Sequence, residues 1–202
     1  LARWRGLDRG LRTGQYAMRG GLTADEVLAL LVRGAHRLAR VTIPEGLTVT
    51  EIAALLERAG LGPAESFTCL ADDARFLASL ELPGGHLEGY LFPDTYLFDA
   101  SDGPERILGR MVERFFSVFL SDWVEASARS GMTVDEAVTL ASLIEKEAAV
   151  ADERPRISAV FHNRLTRGML LQSDPTVLYG VEDHVGRITK RDLMRRTPYN
   201  TY

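Results

Sequence analysis

The chain has 202 residues, is 46% hydrophobic and carries a formal charge of −4, enough to bury the core of one domain, or of a small and a larger one. That charge argues against a nucleic-acid partner, whose recognition needs a basic face. The single cysteine, Cys69, makes no internal disulfide, and His36, His86, His162 and His184 lack ligand spacing, so neither a metal nor a cofactor is expected.

No apolar run approaches the roughly 18 residues of a membrane span, and the first residues carry no signal-peptide pattern. With no initiator Met, a trimmed chain is expected. Near the N-terminus, Tyr16-Ala-Met-Arg-Gly-Gly-Leu-Thr-Ala-Asp-Glu-Val aligns with Val41-Thr-Ile-Pro-Glu-Gly-Leu-Thr-Val-Thr-Glu-Ile. Each copy predicts a strand, a glycine turn and a capped helix. Thr23 with Glu26 and Thr48 with Glu51 are capping boxes; Leu22 with Val27 and Leu47 with Ile52 are their hydrophobic staples. The helices are predicted over 24–32 and 49–59, with Gly34 and Gly60 as stops. The second copy resembles a LysM-like glycan-binding motif, in which the helix opens with Ile-Ala, here Ile52-Ala53. A plain packing unit is the alternative.

A polar connection and a helix carrying Phe67, Leu70, Phe76 and Leu77 follow over 63–80. The turn Leu82-Pro83-Gly84-Gly85 leads into Leu87-Glu88-Gly89-Tyr90-Leu91-Phe92-Pro93-Asp94-Thr95-Tyr96-Leu97-Phe98, whose aromatics suit either a sugar cleft or a core. From Pro104 to Trp123 the recurrence of Ile107, Leu108, Met111, Phe115, Val118 and Phe119 predicts a long amphipathic packing helix.

The next helix opens at Thr133 with Glu136 completing a capping box, and Met132 with Ala137 as staple. At about 100° per residue, Ala137, Leu140, Ala141, Ile144 and Ala148 share an apolar stripe, and Glu147 falls within it. Lys146 lies nearly opposite, and Glu145 on the stripe's other flank. An acid forced against apolar surface keeps its proton to higher pH, as a general acid must. Alternatively Glu147 pairs with Arg154 or Arg156, or reaches solvent at the helix end. Asp152 is expected to cap the following helix, with Ile157, Val160, Phe161 and Leu165 as its stripe and Gly168 as its stop. Leu170-Leu171-Gln172 reads as extended, and Ser173-Asp174-Pro175 breaks it. Gln172, Asp174 and Thr176 therefore project from a turn.

The run ASLIEKEAAVADERPRISAVFHNRL, then GMLLQSDPTVLYG and TPYNTY, resembles the MltG-type (YceG-like) endolytic murein transglycosylases. The likeness is dense from Leu140 to Tyr202 and looser over 87–98 and 41–56. It implies an α+β chain: a small LysM-like α/β module over 1–62, then a mainly helical catalytic domain over 63–202. It implies cleavage of the β-1,4 bond between N-acetylmuramic acid and N-acetylglucosamine in peptidoglycan, leaving a 1,6-anhydro end. The family's glutamate matches Glu147. Leu170-Leu171-Gln172 and Pro198-Tyr199-Asn200 are similar to motifs that flank the glutamate in other lytic transglycosylases, which makes Gln172, Asp174, Thr176, Tyr199 and Asn200 substrate-side candidates. Glu88, Tyr90, Asp94 and Glu145 join them. Peptidoglycan strands are the implied partner, with cell-wall synthases (penicillin-binding proteins), and an N-terminal membrane anchor holding the catalytic part outside the cytoplasmic membrane. Family members run on past Asn-Thr-Tyr into a Gly-Leu-Pro-Pro-Gly loop and a helix, so the catalytic domain ending at Tyr202 is expected to be short of one cleft wall.

A lytic transglycosylase needs one carboxyl, which gives a proton and takes one back. Ordinary glycosidases need two. Asp174 facing Glu147 would make the rival, a lysozyme-like hydrolase. A non-catalytic cell-wall scaffold working through the N-terminal repeat is the third reading.

Overall fold

A computed structural model of the chain describes residues 10, 11, 16, 18, 20–33, 38–99, 101–123, 126, 130–181 and 186–202. It is α+β, and contacts divide it into two compact units, Leu1–Phe115 and Phe116–Tyr202.

In the first unit, helix α1 (Ala24–Arg33) and helix α2 (Val49–Arg58) flank strand β1 (Leu38–Thr42). Both predicted capping boxes form. The Thr23 N–H donates to Glu26 Oε2 at 2.7 Å and the Glu26 N–H to Thr23 Oγ1 at 3.3 Å; Thr48 and Glu51 repeat this at 2.8 and 3.3 Å. Each box satisfies two orphan donors of a first turn, which fixes where the helix starts. Val49, Ile52, Ala53 and Leu56 then form the buried stripe of α2, and Gly60 takes a φ of 76° just past its end. Gly34, expected to end α1, lies outside the described residues.

The repeat is less complete in its strands. Tyr16 and Met18 are not in a strand, and the rest of that predicted strand is partly outside the described residues. The strand of the second copy begins at Leu38 and pairs antiparallel with β2 (Thr95–Asp99), from Leu38 opposite Asp99 to Thr42 opposite Thr95. A strand needs a partner for its backbone groups, and this one lies beyond residue 62. The unit defined by contacts runs to Phe115. On β2, Tyr96 and Phe98 are buried while Thr95 and Leu97 face out, the alternation of a half-buried sheet.

The region predicted as one helix is two, α3 (Ala64–Ala71) and α4 (Ala74–Ser79). Asp73 causes the break by accepting the N–H groups of Arg75 and Phe76 at 2.9 and 2.8 Å, which makes it the N-cap of a new helix. Helix α5 (Pro104–Asp122) buries Ile107, Leu108, Met111, Phe115 and Phe119 of its predicted stripe and also Val112, while Val118 is half-buried; the unit boundary falls within it.

The second unit contains α6 (Val134–Glu147), a 3₁₀ turn over Ala151–Glu153, α7 (Arg154–Thr166), α8 (Pro175–Leu178) and α9 (Lys190–Leu193). Thr133 and Glu136 form the capping box of α6 at 2.8 and 3.2 Å. Glu136's carboxyl, bonded by the backbone N–H and the hydroxyl of Thr133, is held below the ordinary carboxylate range. Asp152 does not cap α7. The N-cap position is Glu153, whose Oε2 accepts the Ala149 N–H at 3.2 Å, and Pro155 occupies the first turn. Of the predicted α7 stripe only Phe161 is buried, while Val160 and Leu165 are exposed. Gly168 ends the helix with a φ of 63°.

Candidate active site

Glu147 is the last residue of α6; Ala148 leaves the helix at φ −76° and ψ 119°. The predicted inward stripe is only partly buried: Leu140 is buried, Ile144 and Ala148 are half-buried, and Ala141 and Glu147 are exposed. The expectation of a carboxyl pressed into apolar surface is thus corrected. Glu147 is the helix's last residue and is exposed, so helical periodicity alone does not bury it.

What meets Glu147 is Ser173, whose hydroxyl donates to Glu147 Oε1 at 2.7 Å. Ser173 is fully buried and sits in the turn that the proline was expected to force. Gln172, just before it, has a φ of 49°, a left-handed conformation that a non-glycine residue adopts only when its surroundings enforce it. Two bonds from Thr201 provide that enforcement: the Gln172 N–H donates to the Thr201 carbonyl at 3.0 Å and the Ser173 N–H to Thr201 Oγ1 at 2.9 Å. Arg164 of α7 donates to the Leu171 carbonyl on the approach to the turn. Thr176 is buried and turned inward, its Oγ1 donating to the Ser173 carbonyl at 2.6 Å. Gln172 and Asp174 are exposed, as expected of a turn.

Asp174 accepts the phenolic hydroxyl of Tyr202. That bond raises Tyr202's phenol above its ordinary range; burial and the charges of Asp174 and Glu147 add, and Arg164 opposes.

Glu145 points elsewhere, as side chains two residues apart on a helix must. Arg154, a possible partner of Glu147 on sequence grounds, instead meets both Glu145 oxygens, at 3.0 Å to Oε1 and 2.9 Å to Oε2. Tyr199 is exposed and meets Tyr179 edge-on with ring centroids 4.7 Å apart. Asn200 spends both amide hydrogens on the Leu193 and Arg195 carbonyls, at 3.0 and 2.6 Å, while its Oδ1 accepts the Tyr202 N–H at 3.0 Å. It shapes the terminal turn. Asn200 and Tyr202 line, with Arg195 and Arg196, an open groove of about 600 Å³ that does not include Glu147 among its walls.

The candidates of the first unit have structural duties. Glu88 Oε2 accepts the Val49 N–H at 3.2 Å, at the start of α2. Tyr90 is fully buried and packs edge-on against Phe115 at 5.0 Å, so its ring offers no face to a sugar. Asp94 takes the Thr95 N–H at 2.7 Å and pairs with Arg114 Nε at 2.8 Å; these two bonds, the backbone one foremost, hold its carboxyl below the ordinary aspartate range.

Sequence reasoning passed over Ser173, Thr201 and Tyr202, although each lies within two positions of a residue it selected. The available signal was the company they keep: three hydroxyl residues set in or next to the two motifs. Among the described residues, no group of three or more His, Cys, Asp or Glu side chains could hold a metal ion, and no helix is long and apolar enough to cross a membrane.

The sequence pattern of the YceG-like family matches residues 1–202. An endolytic murein transglycosylase of Bacillus subtilis is 34% identical over 209 residues, covering 96% of this chain and 58% of that protein. One of Streptococcus pneumoniae is 30% identical over 223 residues, covering 95% of this chain and 40% of its own length. The chain thus spans about half the length of these relatives. A yceG-like protein of Listeria monocytogenes, known from its crystal structure, superposes with a TM-score of 0.74 at 31% identity, covering all of this chain and 71% of that one. With the family pattern met along its whole length, the chain belongs to the YceG-like family.

Proposed function

We propose that the protein is an endolytic peptidoglycan lytic transglycosylase, and that Glu147 is its single acid and base. The carrying observation is the carboxyl at the end of α6, exposed to solvent and held on one oxygen by a buried serine. An acid catalyst must be reachable by its substrate and fixed in aim, and Glu147 has both properties.

In the reaction, Glu147 gives its proton to the glycosidic oxygen as the bond from the muramyl C1 breaks, and the N-acetylglucosamine leaves as an alcohol. The muramyl 6-hydroxyl then closes onto C1 and yields its proton to the Glu147 carboxylate. The acid is restored, no water is consumed, and the product carries a 1,6-anhydro ring. Because the sugar supplies its own nucleophile, one carboxyl suffices. Asp174's engagement with Tyr202 supports this over a hydrolase, which needs a second carboxyl at about 5–5.5 Å or 6.5–9.5 Å. A glycan strand laid across the helix end would itself take Glu147 out of water, supplying on binding the desolvation that the fold does not. Gln172 and Tyr199 remain candidates for the walls of that path.

The activity for which the relatives are named supports this reading. On this reading the site works outside the cytoplasmic membrane, where glycan strands are, with an N-terminal membrane anchor and cell-wall synthases as neighbours. Mass spectrometry of the products from uncrosslinked strands tests it. Anhydro ends are expected; reducing ends, heavier by one water, would indicate hydrolysis.

A further inference from the structure

We propose that Ser173 is the positioning residue of the Glu147 carboxyl, and that by occupying Oε1 it reserves Oε2 as the oxygen that both gives and takes the working proton. This rests on Glu147 being the catalytic acid.

The hydrogens around the turn can be assigned one by one. A threonine hydroxyl has a single hydrogen, and Thr176 gives its own to the Ser173 carbonyl at 2.6 Å. In the 2.9 Å contact between the Thr176 and Thr201 hydroxyls, Thr201 is therefore the donor. Thr201 Oγ1 in turn accepts the Ser173 N–H at 2.9 Å, and the Thr201 N–H donates to Thr176 Oγ1 at 3.2 Å. Neither threonine has a hydroxyl hydrogen left for Glu147. Both backbone groups of Ser173 are clamped, and its own hydroxyl hydrogen goes to Glu147 Oε1 at 2.7 Å.

The consequence concerns a flexible side chain at an exposed helix end. A carboxyl there samples several rotamers, and each one off target lowers the fraction aimed at the scissile bond. A donor fixed on both sides of its backbone removes that freedom. Because it donates to Oε1, a proton on Glu147 sits on Oε2. The serine keeps its hydrogen throughout, so it acts as an unchanging brace for the acid step and the base step alike.

The test compares Ser173→Ala, Ser173→Cys, Thr201→Val and Glu147→Gln in the full-length protein, measuring kcat and KM on uncrosslinked glycan strands alongside melting temperature. Ser173→Ala is expected to lower kcat about ten- to a hundred-fold, the range of one hydrogen bond to a charged group, with KM within about two-fold of wild type. Ser173→Cys, a weaker donor of similar size, should fall between. Thr201→Val should lower kcat less than Ser173→Ala, because it loosens the clamp and leaves the serine hydroxyl. An inactive Glu147→Gln beside a Ser173→Ala or Ser173→Cys of wild-type kcat overturns this inference alone, as does a change confined to KM. An active Glu147→Gln overturns the reading beneath it. Should Ser173→Ala not fold, Ser173→Cys and Thr201→Val decide, and wild-type kcat in both contradicts the proposal.

Discussion

Glu136 and Glu147 stand at opposite ends of one helix and are used in opposite ways. Glu136 lies in the first turn, where a carboxylate complements the positive end of the helix dipole, and it closes a capping box with Thr133. Glu147 lies in the last turn, where a carboxylate faces the negative end and gains nothing from it. The first unit repeats the economy of Glu136: Glu26, Glu51 and Glu88 accept N–H groups at helix starts, and Asp94 is paired with Arg114. Carboxyls with a structural duty sit where helix and cation favour them. A carboxyl placed against that preference, at 2.7 Å from a buried hydroxyl, is where chemistry is to be sought.

The contrast breaks if residues on the structural side alter turnover, or if Glu147 is needed for folding. The largest stability effect is expected at Tyr90, fully buried against Phe115. Tyr90→Ala should cost about 3–5 kcal/mol, as truncation of a buried aromatic side chain does, read by denaturant unfolding. Thr133→Ala should cost about 1 kcal/mol through loss of the cap that starts α6, with catalytic turnover little changed. Glu145→Gln should cost less still, about 0–1 kcal/mol, since the ion pair with Arg154 is about a third exposed on both sides.

A pH effect sharpens the same contrast at Asp94. Its carboxyl is held below the ordinary aspartate range, so its contribution to stability is fully present above that range and is lost as pH falls through the depressed value. The melting-temperature gap between wild type and Asp94→Asn should therefore be constant near neutrality and close in strong acid. A gap that widens on acidification would contradict the assignment.

Much of this was readable from the chain because it is local. The capping boxes at Thr23, Thr48 and Thr133 depend on residues three apart, and all formed. The buried stripes of α2 and α5 follow from helical spacing alone. The partner of β1 was not readable, because a two-strand pairing between 38–42 and 95–99 leaves no mark in either segment beyond apolar alternation. Glu147 was singled out partly by periodicity that gave the wrong surroundings, since a helical wheel has no term for the end of the helix. Ser173 was missed for a related reason: its importance comes from Thr201 and Thr176, and from a turn whose backbone at Gln172 no propensity would suggest. Tyr90 and Asp94 show the converse, aromatic and acidic residues near a family motif that serve the core and an ion pair.

The most direct measurement is the release of anhydro-muropeptides from uncrosslinked glycan strands by the full-length protein and its Glu147→Gln and Glu145→Gln variants, with melting followed in parallel. Glutamine keeps the shape and reach of glutamate but delivers no proton, so Glu147→Gln should lose at least about 10²–10⁴-fold in turnover at an unchanged or raised melting temperature, while Glu145→Gln stays close to wild type. Near-wild-type release by Glu147→Gln, or loss of release in Glu145→Gln instead, would contradict the central claim.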